Sequence, residues 1–163
     1  MKKIALIPSY EPDDKLKKLV SHLSNYDFDI IVVNDGSNEN YRDIFNSIKE
    51  MATVLEYPNN RGKGYALKHG LQYIKDHYTN FVVVTMDSDG QHSIQDAIKL
   101  CEYTITHPNE LVLGKRIRSG KIPFRSRIGN GITKAIYYLT TGVNIYDTQT
   151  GLRCFTNKII DFA

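Results

Sequence analysis

Phe81-Val82-Val83-Val84-Thr85-Met86-Asp87-Ser88-Asp89-Gly90 is the stretch on which the reading of this chain turns. Its first half is an apolar run of β-branched and aromatic residues without polar alternation, the pattern of a buried parallel strand. The run ends in two carboxylates one residue apart, followed by a glycine. At the end of a buried strand such a pair repels and costs desolvation unless a positive charge sits between the two acids. A divalent cation is the usual answer, because Mg²⁺ and Mn²⁺ take oxygen ligands and share them with a diphosphate. Open parallel sheets bind ligands beyond the carboxyl ends of their strands, so the segment marks a candidate metal–diphosphate site. The competing reading is a solvated turn, since Asp, Ser and Gly are favoured turn residues.

Outward from this strand, strand and helix signals alternate. Residues 3–7 form a short apolar strand stopped by Pro8. In residues 14–23, Leu16, Leu19, Val20 and Leu23 recur at helical spacing. Residues 29–34 and 53–57 read as further strands, 41–49 and 63–77 as helices, and 81–86 as the fourth strand. Ser93 opens a helix with Asp96 three residues on, as in a capping box; its apolar face is Ile94, Ala97, Ile98, Cys101 and Ile105. Strands at 110–114 and 151–155 flank a basic loop and a helix around Ile128, Ile132, Ala135, Ile136 and Leu139. This alternation indicates an α/β fold, a mostly parallel sheet flanked by helices. The chain stops within what reads as ordered structure, which suggests truncation at the C-terminus.

The 163 residues suit one domain with a substantial core, and 41% hydrophobic with 24% charged residues is ordinary for a soluble globular protein. No apolar stretch approaches the ~18 residues of a membrane span, and the N-terminal apolar run is too short for a signal peptide. Cys101 and Cys154 show no metal or redox spacing. Cys101 lies on an apolar helix face, so a buried reduced thiol is expected and the cytoplasm is favoured. The net charge of +3 hides an asymmetry. Residues 111–146 contain no Asp or Glu but hold Lys115, Arg116, Arg118, Lys121, Arg125, Arg127 and Lys134. The other 14 basic residues face 18 acidic ones. The stretch is either a solvated basic loop or a cationic surface for phosphates or anionic lipid headgroups. Nucleic acid is not expected as a partner, because interleaved aromatics on a recognisable module are missing.

Several motifs are excluded. Gly62-Lys63-Gly64 lacks the third glycine of a dinucleotide fingerprint, and no acidic residue ends a second strand ~20 residues later. There is no Walker A sequence. A calcium loop starting at Asp87 fails at its sixth position, His92, and its twelfth, Ile98. The histidines form no close pair at metal-ligand spacing and are taken as surface or satisfied residues. Four loops remain: Pro8-Ser9-Tyr10-Glu11, Asn34-Asp35-Gly36-Ser37, Asn60-Arg61-Gly62-Lys63-Gly64 and Asp87-Ser88-Asp89-Gly90-Gln91-His92. Each follows a strand, and in a parallel sheet those ends share one edge. An aromatic such as Tyr10 can stack on a base, and Asp35 can accept from a base N–H or a ribose hydroxyl. Glycines let backbone approach phosphate, and lysine or arginine offsets its charge.

These landmarks, with Gly114-Lys115-Arg116, the stretch from Arg125 to Asn130 and Asp147-Thr148-Gln149-Thr150-Gly151-Leu152-Arg153, run in order over nearly the whole chain. They resemble a family 2 glycosyltransferase of the GT-A fold, in particular the dolichol- and polyprenyl-phosphate sugar transferases and related bacterial cell-surface enzymes. One departure is Asn34, where that family usually has a second aspartate; another is the early end of the chain. The resemblance implies a catalytic domain over residues 1–163 that inverts configuration at the anomeric carbon. It implies a UDP- or GDP-sugar donor, a lipid-phosphate or cell-surface glycan acceptor, Mg²⁺ or Mn²⁺ as cofactor, and a peripheral contact at the inner face of the membrane. Pro8, Tyr10, Glu11, Val33 and Asp35 would hold base and ribose, with Lys63 a further candidate nearby. Asp87, Ser88 and Asp89 would face the diphosphate, Asp89 being the best metal ligand and Gln91 completing the shell. Arg116 and Arg127, with Arg125, would hold an acceptor phosphate, which needs no base. A hydroxyl acceptor needs a carboxylate to remove its proton, and Asp147 is the candidate, with capping of residues 148–151 as its alternative role. Arg153 is a candidate local anchor. The rival readings are a catalytically idle nucleotide-diphosphate or membrane-surface module, and a HAD-type phosphatase. The latter wants its Asp-x-Asp-Gly-Thr early and an Asp pair later, whereas here the motif is central and Gln91 stands in place of Thr.

Overall fold

The computed structural model describes residues 1–114 and 151–159. Within them the strands are β1 (Lys2–Ser9), β2 (Asp29–Asp35), β3 (Thr53–Tyr57), β4 (Phe81–Thr85), β5 (Val112–Leu113) and β6 (Arg153–Thr156). The helices are α1 (Asp14–Leu23), α2 (Arg42–Asn46), α3 (Lys63–His77) and α4 (Ile94–Thr106). All six strands join one sheet in the order β3-β2-β1-β4-β6-β5. β1 lies between β2 and β4, parallel to both, and β3 extends the parallel part beyond β2.

Strand alternation divides the core. On β1, Ala5 and Ile7 face α1 and α4, where Leu16, Leu19, Val20, Leu23, Ala97 and Cys101 are buried. Ile4 and Leu6 face the other way, toward Ala66 and Ile74 of α3. β4 is buried along its whole length, as expected for a strand covered on both faces. α1 begins where Asp13 accepts the Lys15 N–H through its side chain at 2.9 Å, a strong start signal.

The sheet is mostly parallel, as expected, with β6 running antiparallel to both β4 and β5. Short apolar runs specify a strand but not its direction. Here direction comes from distant contacts, the Thr85 hydroxyl donating to the Gly151 carbonyl at 2.8 Å and the Thr156 hydroxyl to that of Pro108 at 2.6 Å. Residues 41–49 are not one helix. A 3₁₀ turn at Glu39–Tyr41, started by the Asn38 side chain accepting from the Asn40 N–H, leads into the five-residue α2. Ser93 precedes α4 but makes no side-chain cap; Asp96 is one methylene shorter than the Glu or Gln that closes a capping box. Finally, Cys101 and Cys154, 53 residues apart, are both buried with their sulfurs 3.7 Å from each other across the α4–β6 contact. The helix expected around Ile128–Leu139 lies outside the described residues.

Candidate nucleotide-diphosphate site

Parallel pairing aligns the strand ends. Ser9 pairs with Asn34, Asp35 with Tyr57, and Thr85 with Leu6. The two-residue period that buries Leu6 and Val33 against α3 continues to Pro8 and Asp35. They open onto a cleft of about 340 Å³ with Ser9, Tyr10, Asn60, Gly62, Lys63, Asp87, Ser88 and Asp89. All four sequence landmarks thus meet at one sheet edge.

Asp35, only 3% exposed, is held by β3 and the loop after it. The Tyr57 hydroxyl donates to Asp35 Oδ1 at 2.7 Å and the Arg61 N–H donates to the same oxygen at 2.8 Å. Burial, then the bond to Asp35, raises the Tyr57 phenol well above its ordinary pKa, so it stays a donor. Arg61 lies 3.6 Å over the ring of Tyr65, and Tyr57 meets that ring edge-on at 5.2 Å. This packing orders the loop whose N–H reaches Asp35. Asn34, the departure from the usual aspartate, accepts the Ser37 N–H through Oδ1 at 2.9 Å. It therefore shapes the turn that follows β2.

Beyond β4, Lys63 Nζ pairs with Asp87 Oδ1, and His92 Nε2 lies 3.3 Å from Asp87 Oδ2. The His92 hydrogen bond first, then Lys63, holds the Asp87 carboxyl well below the usual carboxylate range against the opposing effect of burial. His92 is buried. Sequence reasoning set the histidines aside; the available signal was the position of His92 five residues after Asp87, in the same loop. Asp89 Oδ1 accepts the Gln91 N–H at 3.0 Å.

The donor set fits a hard divalent cation. Asp89 offers a carboxylate beside Asp87, whose two oxygens already meet Lys63 and His92, and Mg²⁺ is typically held by one or two carboxylates plus substrate phosphates. No group of three or more His, Cys, Asp or Glu side chains arranged to hold a metal occurs among the described residues.

The depressed Asp87 pKa has a testable sign. It contributes stability that is fully present above the unfolded value of about 3.9 and is lost as pH falls through the lower folded value. The stability advantage of the wild type over Asp87→Asn should therefore shrink steadily on acidification below about pH 4. Urea unfolding of both proteins across that range checks it; an advantage independent of pH would refute it.

Three expected contacts do not line the cleft. Val33 is fully buried in the α3-side core, because the strand period points it inward, so only its backbone remains available. Glu11 is exposed, with φ 46°; its N–H donates to Ser37 Oγ and its Oε1 accepts from Asn38 Nδ2. The Gln91 residue is exposed, and its N–H faces Asp89. Arg116, Arg125, Arg127 and Asp147 lie outside the described residues. A larger groove, about 450 Å³, runs past Asn38, Arg42, Phe45, Lys49 and Tyr57. It contains no paired carboxylates and only the Asn34–Ser37 turn of the four landmark loops, so the smaller cleft is the chemically equipped one.

A UDP-N-acetylglucosamine–dolichyl-phosphate N-acetylglucosaminyltransferase of Methanococcus voltae is 29% identical over 95% of this chain and 69% of its own length. A dolichyl-phosphate beta-glucosyltransferase of Trichomonas vaginalis is 28% identical over 94% of this chain and 52% of its own. The chain spans between 45% and 69% of the curated relatives it matches. The crystal structure of S. aureus TarS 1–349 in complex with UDP-GlcNAc superposes with a TM-score of 0.53 at 20% identity, covering 76% of this chain and 38% of that one. It shares the fold. The family described as Glycosyl transferase family 2 matches residues 4–163. With its ordered strand-end loops gathered on one cleft, this chain belongs to glycosyl transferase family 2.

Proposed function

We propose that this chain is the donor-binding and catalytic part of a transferase that moves a sugar from a nucleoside diphosphate to a lipid phosphate, with inversion at the anomeric carbon. The observation that carries this reading is one cleft containing Asp35, Lys63 and the Asp87/Asp89 pair. Asp35, with two donors on Oδ1, accepts a base N–H or ribose hydroxyl through its other oxygen. Tyr10, half exposed at the cleft, offers a ring face to the base. Lys63 and the Asp87–Asp89 loop attend the diphosphate. A bound Mg²⁺ or Mn²⁺ supplies charge stabilisation to the leaving diphosphate.

The acceptor oxygen forms a bond to the anomeric carbon while the sugar–phosphate bond breaks, its electron pair leaving with the nucleoside diphosphate. A phosphate acceptor is already anionic and needs no general base. Arg116, Arg125 and Arg127 are proposed to hold it, and the dolichyl-phosphate specificity in the names of the two relatives supports that acceptor class. For a glycan hydroxyl acceptor, Asp147 would take the proton. It stands four residues before Gly151, which packs against Asp87. No helix among the described residues is long and apolar enough to cross a membrane. A lipid acceptor is proposed to be met by peripheral contact through the basic stretch of residues 111–146.

Calorimetry with UDP and GDP, with and without Mn²⁺, tests the reading. One of the two should bind, and Mn²⁺ should tighten it by about tenfold or more, equivalent to ~1.4 kcal/mol. Absence of binding by either nucleotide in both conditions would refute a nucleotide-sugar site.

A further inference from the structure

Three elements converge on one carboxylate. Lys63, the first residue of α3, pairs with Asp87 Oδ1. His92, from the loop before α4, reaches Oδ2 at 3.3 Å. Gly151, ahead of β6, packs so closely that a Cβ there would lie 2.2 Å from Oδ2 and 2.5 Å from Oδ1. The buried bond from Thr85 Oγ1 to the Gly151 carbonyl fixes that approach. Asp87 is thus held on both oxygens and backed by the main chain.

Taken alone, an acid in this cleft opposes the arrival of a diphosphate. Its partner reverses that sense. The Lys63 side chain is 54% exposed and lines the cleft together with Asp89. An ammonium has three N–H donors. One goes to Asp87, and two remain for phosphate oxygens. A flexible lysine loses rotamer freedom on binding phosphate, and a fixed carboxylate partner has already imposed much of that order.

We propose that Lys63 is a diphosphate-binding cation in its own right, acting without the divalent ion, and that Asp87 is its positioning residue, fixed in turn by His92 and Gly151. This rests on the reading of the cleft as a nucleoside-diphosphate site, and it divides the paired acids by task. Asp87 orients a lysine, and Asp89 is the carboxylate that serves the metal.

Plain electrostatics and positioning predict opposite signs for one substitution. Asp87→Asn removes a negative charge near a diphosphate, so charge removal alone would tighten binding. If Asp87 positions Lys63, binding weakens. The experiment is calorimetry of UDP, GDP and uridine in EDTA on the full chain, using wild type, Lys63→Met, Lys63→Arg and Asp87→Asn, with thermal unfolding to confirm folding. Lys63→Met should weaken the bound diphosphate about tenfold, roughly the worth of one charge-assisted contact. It should leave uridine unaffected, and Lys63→Arg should recover part of the loss. Asp87→Asn should also weaken the diphosphate, by about threefold or more. Tighter binding by Asp87→Asn, wild-type affinity in Lys63→Met, or wild-type binding that disappears in EDTA would each overturn the proposal. Should Asp87→Asn fail to fold, the exposed Lys63 variants still decide it. If the wild type binds neither diphosphate even with Mn²⁺, the nucleotide-site reading fails and this inference falls with it, an outcome distinct from the other three.

Discussion

Asp89→Ala should lower sugar transfer by at least ~100-fold, because metal-assisted stabilisation of a leaving group is worth several kcal/mol and each ~1.36 kcal/mol is a factor of ten. It should also abolish the gain in nucleotide affinity on adding Mn²⁺. The two acids of the motif are not equivalent. Asp87 is engaged by Lys63 and His92, whereas Asp89 accepts a backbone N–H from Gln91 and lines the same cleft. Loss of Asp89 thus removes the oxygen donor least committed to other side chains. A transfer assay and calorimetry of UDP or GDP with and without Mn²⁺ provide the two readouts. An Asp89→Ala protein that keeps its Mn²⁺ response and most of its turnover would contradict the assignment.

Gly36→Ala should destabilise the fold by ~2–5 kcal/mol and weaken nucleotide binding in the molecules that still fold. Two costs combine at this position. Its φ of +68° is left-handed, which costs a residue with a Cβ roughly 1–2 kcal/mol. A Cβ would also lie 2.2 Å from the carbonyl carbon of Asn59 and the nitrogen of Asn60. Both are backbone atoms, so the loop itself must move. That loop delivers the Arg61 N–H to Asp35 Oδ1, and its displacement removes one of the two bonds that orient Asp35. Gly64 is a useful comparison, since nothing lies within 4 Å of a Cβ there and the residue is helical. Gly64→Ala should stay within about 1 kcal/mol of wild type in urea unfolding. Equal stability of the Gly36 and Gly64 variants would contradict the close approach.

The elements were legible to different degrees. Helical spacing of Leu16, Leu19, Val20 and Leu23 matched α1, and the bounds of α3 and β3 were also readable. These segments combine clear periodicity with abrupt polar, proline or glycine boundaries. The 41–49 segment was overextended because its apolar residues carry a helical period that local side-chain bonds interrupt. At its end, the Ser47 hydroxyl donates to the Ile44 carbonyl at 2.7 Å, a bond that competes with helix continuation. In the cleft, Asp35, Lys63, Asp87 and Asp89 were legible because each lies at or beyond the end of a parallel strand. Val33 shares a motif with Asp35, but its side chain is buried and does not reach the cleft surface.

The residue pattern alone determined that strands and helices alternate, that several strand ends carry polar loops, and that the loop after Phe81–Thr85 carries paired acids. Such properties reside in neighbouring residues, through two- and 3.6-residue periods and through turn chemistry. Only the tertiary structure decided that β6 inserts antiparallel beside β4, that Tyr57 and Arg61 hold Asp35, and that Lys63, His92 and Gly151 meet on Asp87. These contacts join residues 5 to 74 positions apart. Most depend on which strands become neighbours, and no local period encodes that choice.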